Sequence, residues 1–363
     1  MGATLQDYAI VIGITYPSGT LRGLRGTRGD AAAFTEWLKS PRGGNVPKDN
    51  IRVVLSPARA QRSPRTARPV QEQVDDALED MGVSLSRKPV GRRLYFYFTG
   101  HGFGRRPDEV CMLMAHATNK HLNRNIGLRE YRNFFQEHLY FEEVVFILDC
   151  CRDLASPLSG SAPQLPTWTL DADTPPPVVS DLVVLAAPNG MKAHETVDQK
   201  TRKPRGLFTL ALLDVLNGNL GVDGSNLNDI LNARMAALAA ANSGTTIEQR
   251  ATVEERDNRN SGLVLRQVLA AGTSAVPVRI VAPDGLEGDL VVCEGTTIEL
   301  DRRAAAIVTR DEPPWLVDLS PSRSYSVRHE KNATALPLFA VIDWVRLEAA
   351  KENGAHVFVF PDA

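Results

Sequence analysis

Residues 144–153 read VVFILDCCRD, an apolar run that ends in a carboxylate, two adjacent thiols, an arginine and a second carboxylate. So short a run of Val, Phe, Ile and Leu, bounded by polar residues, predicts a strand buried on both faces. A second stretch repeats the plan: LYFYFT, residues 94–99, leads into GHGFG, residues 100–104. In an open parallel sheet, ligands sit beyond the carboxyl ends of the strands, where strand order switches. His101 and Cys151 each stand just past such a strand, 50 residues apart.

Working outward, YAIVIGI (8–14), IRVVL (51–55) and DLVVLAA (181–187) read as further buried strands, and VCMLMA (110–115) as a strand or hairpin arm. Between them lie helical patterns. Asp30 opens DAAAFTEWL as its expected N-cap. Val70, Val74, Ala77, Leu78 and Met81 recur at helical spacing, and residues 128–138, 206–216 and 227–240 also read as helices. Residues 263–265 are expected to form a closing edge strand. Strands that are apolar throughout and alternate with helices predict an α/β fold, with a mostly parallel sheet flanked by helices.

Two segments break the pattern. PARAQRSPRTARP (57–69) is too rich in proline for helix or strand. Residues 154–180 carry six prolines and no Lys or Arg, and read as a flexible loop. After Ala270 the texture becomes short β-rich stretches separated by turn residues. A small all-β domain over 275–363 is therefore expected beside a domain over 1–270.

Composition narrows the function. The chain has 363 residues, a net charge of -2, 43% hydrophobic and 23% charged residues, as ordinary globular proteins have. Near-neutral charge argues against a nucleic-acid partner. The four cysteines, Cys111, Cys150, Cys151 and Cys293, form no CxxC pair, which makes a poor disulfide framework and a poor zinc site. That usage fits a reducing cytosol, so a cytoplasmic location is expected. The opening MGATLQDYAIVIGITYP has no basic region or cleavage site, and Gln6 breaks the myristoylation pattern. No apolar run approaches the roughly 18 residues of a membrane span, so no membrane partner is expected.

A thiol attacks only as thiolate, and a nearby imidazole can take its proton. Glycine after the histidine lets a substrate carbonyl approach the backbone. The N–H groups of Gly102 and Cys151 are the expected oxyanion hole. These residues carry a family resemblance. The pattern apolar strand, [S/T]-G-H-G, about 50 residues, apolar strand, D-x-C resembles the caspase-like cysteine peptidases of the caspase–haemoglobinase fold. Metacaspases and prokaryotic caspase homologues look most alike. YAIVIGI…GDAAAFTEWL is similar to the family's first strand and helix, and LVVLAAPNGMKAHE…GLFTLALLDVL to its smaller half. The resemblance spans roughly residues 5–268, and Asp153 departs from the small residue usual after D-x-C-R.

The resemblance implies a cysteine endopeptidase with Cys151 as nucleophile and His101 as base and acid, or as the group that holds the leaving amide. It also implies that Asp30, Asp149 and Thr99 line a pocket for the residue before the cut. Carboxylates there favour Arg or Lys through charge-assisted hydrogen bonds. The expected partners are protein substrates, with an upstream activating protease or an inhibitor protein as further candidates, in a microbial stress, defence or cell-death pathway. No cofactor is expected: some metacaspases need calcium, but no EF-hand spacing is present. The alternatives are an Asp-directed protease, with Arg25 in the pocket, and a catalytically idle signalling scaffold. Cys150 reads as packing, His194 and Glu195 as parts of a structural turn.

Overall fold

The computed structural model describes residues 6–17, 21–61, 63–83, 89–104, 109–154, 159–165, 179–218, 221–242, 248–256 and 263–266. Beyond these it describes the strand segments 276–281, 289–294, 304–308, 316–319, 325–330, 338–341 and 356–359. The chain divides into two compact units, Met1–Leu213 with Met235–Leu263, and Asp214–Arg234 with Val264–Ala363.

The first unit is built on a six-stranded sheet. Its order from edge to edge is Thr252–Arg256, Ser180–Leu185, Phe141–Asp149, Gly91–Thr99, Asp7–Gly13 and Ile51–Leu55. Five of these strands run parallel, and Thr252–Arg256 is antiparallel. The α/β architecture expected from apolar strands and helical periods is present. Strand alternation sorts the aromatics to the two faces. On one face, helix α1 (Thr27–Lys39) stacks Phe34 on Tyr97, with ring centroids 4.3 Å apart. On the other, Phe96 meets Phe146 and Tyr131, the latter from helix α3 (Leu128–Glu137). Helix α2 (Gln71–Glu79) adds Val74 and Leu78 to the same core. The buried charge Arg93 is paired with Glu143 at 2.5 Å, as burial of a guanidinium requires.

Register brings the strand ends into line. Thr99 pairs with Gly13 on one side and Asp149 on the other. Gly100 N–H donates to the Asp149 carbonyl at 3.2 Å. Residues 110–115 resolve as a hairpin arm. Val110–Leu113 runs antiparallel to Gly102–Gly104, which in turn pairs in parallel with Asp153–Leu154. The turns after the histidine strand and the cysteine strand are thus stitched to each other.

Two expectations are corrected. Asp30 is no N-cap: α1 begins at Thr27 after Gly26, and Asp30 lies in its first turn with its carboxylate bonded to another strand. The closing edge of the sheet is Thr252–Arg256, whereas Val264–Arg266 pairs with Val222–Asp223 in the second unit. TVEER carries exposed charges on its outer side, which hides the strand from an apolar pattern but suits an edge.

After the cysteine, residues 155–158 and 166–178 lie outside the described residues, as does Arg62 of the 57–69 segment. Residues 159–165 between them are held in place. Ser161 N–H donates to Asn125 Oδ1 at 3.1 Å, Gln164 N–H to Asp75 Oδ2 at 3.0 Å, and Leu165 is buried in the core.

In the second unit, the β-rich stretches form two small sheets. One has the order Leu316–Leu319, Val276–Val281, His356–Val359, and the other Ala304–Val308, Asp289–Glu294, Tyr325–Glu330, Leu338–Val341. Val278, Ile280 and Val327 are buried there. Helices α4 (Leu207–Asn217) and α5 (Leu227–Asn242) each cross from one unit to the other along the sequence.

Candidate active site

Cys150 and Cys151 follow the cysteine strand and have opposite fates. Cys150 is 2% exposed, and burial drives its thiol well above the ordinary range. Its sulfur packs directly on Gly102: a Cβ built there would lie 2.6 Å from Cys150 Sγ and 2.9 Å from the Cys151 carbonyl oxygen. Only glycine fits that approach. Cys151 is half-buried, and its thiol donates to the Ala193 carbonyl at 3.6 Å. Burial pushes this thiol up, and the charges of Asp153 and Asp149 add to the effect. The sulfur therefore rests protonated and needs a base before it can attack.

His101 stands on the opposite turn. Its Nε2 lies 2.6 Å from the Arg22 carbonyl. A carbonyl only accepts, so Nε2 carries the proton and Nδ1 is the bare nitrogen of the neutral ring. His101 and Cys151 line one cleft together with Thr99, Asp30, Asp149 and the segment Ala193, His194, Glu195. The chain fold thus gathers all of the sequence-predicted positions except Gly102 into the lining, and Gly102 begins the strand beside it. Arg25 is exposed and does not belong to that lining.

The floor of the cleft is acidic. Asp149 Oδ2 accepts from the Thr209 hydroxyl at 2.6 Å and from the Thr209 N–H at 3.2 Å. The Tyr97 hydroxyl meets the same Thr209 hydroxyl at 2.7 Å. Asp30 Oδ1 accepts from Arg205 Nε at 2.5 Å, and its Oδ2 from Gly206 N–H at 2.8 Å. Burial and then the charge of Asp149 raise Asp30 to about 7, against the pull of Arg205. Burial raises Asp149 to about 6, opposed by the Thr209 hydrogen bonds and supported by the charge of Glu195. The two carboxylates converge on Gly206. A Cβ there would lie 2.2 Å from Asp149 Oδ2 and 3.2 Å from Asp30 Oδ2.

Glu195 is the site residue that sequence reasoning missed, having been read as part of a structural turn. It lies on the strand Glu195–Val197, paired antiparallel with Pro204–Gly206. Its Oε1 accepts from Arg25 N–H at 2.6 Å and Gly26 N–H at 2.5 Å, at the start of α1, where a negative charge also suits the helix dipole. It thereby adds a third carboxylate to the cleft. The signal was its place in AAPNGMKAHE, between a buried strand and a glycine-led helix. Among the described residues, no helix is long and apolar enough to cross a membrane.

Comparison with known proteins places this geometry in context. The family model described as the caspase domain matches residues 6–260. A "Probable protease" of a Desulfuromonadales bacterium is 31% identical over 225 residues, which is 59% of this chain and 26% of that protein. The chain thus spans about a quarter of the length of that curated relative. Among solved structures, caspase-1 from Spodoptera frugiperda aligns at 15% identity and a TM-score of 0.44, over 74% of this chain and 92% of that one. A Geobacter sulfurreducens protein aligns at 12% identity and a TM-score of 0.42, over 73% and 98%.

Proposed function

Because the chain belongs to the caspase-domain family, we propose that it is a cysteine endopeptidase that cuts protein substrates after arginine or lysine, with Cys151 and His101 as its dyad. The observation that carries this reading is the three-carboxylate floor of Asp30, Asp149 and Glu195 in the same cleft as Cys151. A guanidinium or ammonium gains charge-assisted hydrogen bonds there, and an acidic side chain would meet repulsion. The same floor argues against the Asp-directed alternative.

The chemistry follows from the groups in place. A cationic side chain enters the acidic floor and sets the next carbonyl carbon near Cys151 Sγ. The thiol gives its proton to His101 Nδ1 as sulfur attacks, and the carbonyl oxygen becomes an oxyanion held by the N–H groups of Gly102 and Cys151. Each such donor is worth roughly 10²–10³ in rate. The tetrahedral adduct collapses as His101 returns the proton to the leaving amine. Water, deprotonated by the same imidazole, then attacks the thioester, releases the carboxylate product and restores the thiol.

The test is covalent capture. A peptide chloromethyl ketone ending in arginine alkylates the nucleophile, and digestion with mass analysis locates it. The expected adduct is on Cys151, is absent from Cys151→Ala, and forms faster than with the aspartate analogue. An adduct on Cys150, or faster reaction of the aspartate reagent, would contradict the reading.

A further inference from the structure

The acidic floor has a cation of its own. Arg205 is the middle residue of Pro204–Gly206, and its side chain runs along the first turn of α1. The two glycines of that turn make the approach possible. A Cβ on Gly26 would lie 2.9 Å from the Arg205 backbone, and one on Gly29 3.3 Å from Arg205 Cδ. The side chain is only 12% exposed, and one terminal guanidinium nitrogen is buried without a hydrogen-bond partner among the described residues. Its Nε holds Asp30 Oδ1, while the N–H of the next residue holds Oδ2. Arg205 is absent from the cleft lining itself, so it braces the floor from behind.

We propose that Arg205 is a positioning residue, a built-in counter-ion that keeps Asp30 and Asp149 ionised side by side and so holds the pocket ready for a cationic substrate side chain. The proposal rests on the reading of the cleft as specific for Arg or Lys. Two buried carboxylates converging on one glycine cannot both stay charged without a nearby cation. An arginine never gives up its proton to relieve them. The groups facing Asp30 and Asp149 are known on each side: Tyr97 from the histidine strand, Glu195 and Arg205 from the hairpin. Thr209 from α4 and the Gly206 N–H add hydrogen bonds but no charge, and Tyr97 and Glu195 offer no positive charge, so Arg205 is the cation that opposes the raised values of the pair. Were its Nε to plug the pocket instead, Arg205 would compete with substrate.

The test uses the full chain with Arg205→Gln and Arg205→Lys, first in a Cys151→Ala background without any ligand. Carboxylates raised by the fold bind protons that the unfolded chain has released. Stability is then full near pH 4 and is lost as pH rises through about 6 to 7. Loss of the counter-ion lifts both carboxyls further and extends that loss to higher pH. Arg205→Gln should therefore melt near wild type at pH 5 and progressively below it towards pH 8, while Arg205→Lys stays close to wild type throughout. A melting loss of equal size at pH 5 and pH 8 would mean packing alone and overturn the proposal. If Arg205→Gln does not fold, the Lys variant decides: melting that coincides with wild type from pH 5 to pH 8 supports the counter-ion, and a loss of equal size at every pH rejects it.

The second readout is kcat/KM on an arginine peptide with the thiol restored. The acidic limb of Arg205→Gln should move up by at least one pH unit, mostly through KM, and Arg205→Lys should return it. A rise in kcat/KM at every pH with an unmoved limb would make Arg205 a plug and refute the positioning role. Should wild type cut no basic peptide at all, the functional reading fails, while the melting profiles still decide Arg205.

Discussion

Single atoms set the limits of this site. Gly206 admits no side chain, because a Cβ would come within 2.2 Å of Asp149 Oδ2. Gly206→Ala should destabilise the fold by about 1–3 kcal/mol, the usual cost of overpacking, and abolish turnover of arginine peptides. Denaturant melts and peptide assays check both parts; a fully active variant would contradict the geometry. Protonation matters as much as shape. Asp30 and Asp149 lose their charge as pH falls through about 7 and about 6. The ratio of arginine-peptide to leucine-peptide kcat/KM should therefore drop on going from pH 8 to pH 5. A ratio that stays flat would show that the carboxylates do not face the substrate. Cys151 and His101, the proposed nucleophile and base, could be singled out at this scale because each stands just past a run of buried strand residues. The pairing of Asp30 with Arg205 was not legible: the two lie 175 positions apart, and a carboxylate in a first helical turn looks the same in sequence whether it caps or crosses to another strand.

Elements explain how those atoms meet. The cysteine strand and the histidine strand end in register, and the short strands Gly102–Gly104 and Asp153–Leu154 tie their turns together. The hairpin of Glu195–Val197 and Pro204–Gly206 adds Glu195 and Gly206 to the cleft and clamps the start of α1 through Glu195. Glu195→Gln keeps an acceptor for Arg25 and Gly26 but removes the charge. Stability should change little, while kcat/KM for arginine peptides falls roughly three- to tenfold, in line with at most about 1 kcal/mol for one exposed charge. An unchanged kcat/KM would exclude Glu195 from specificity. Buried strands and amphipathic helices were readable from their periods, since burial on a face imposes a period. The edge Thr252–Arg256 was not, because an exposed charged strand pairs through its backbone and leaves no apolar trace. The hairpin escaped for a related reason: its three-residue strands are too short to show alternation.

At the scale of the whole molecule, a caspase-type unit is joined in one chain to a unit that carries the small sheets of residues 276–359 and the pair Val222–Asp223 with Val264–Arg266. The β-rich texture after residue 275 announced those strands, while α4 and α5 gave no sign that the unit division falls within them. The loop after Cys151 bears on activation. Residues 154–180 contain no Lys or Arg, so an enzyme that cuts after basic residues cannot process itself there. Intact-mass analysis of active enzyme should show no self-cut within that loop, and a self-generated break there would contradict basic specificity. The most direct test of the central claim is a set of peptides alike except for the residue before the cut: Arg, Lys, Asp or Leu. Wild type, Asp149→Asn and Cys151→Ala are assayed side by side. The account predicts turnover of the Arg and Lys peptides only, sharply weakened by Asp149→Asn and abolished by Cys151→Ala. Preferential cleavage of the Asp peptide, or arginine turnover that survives Cys151→Ala, would contradict it.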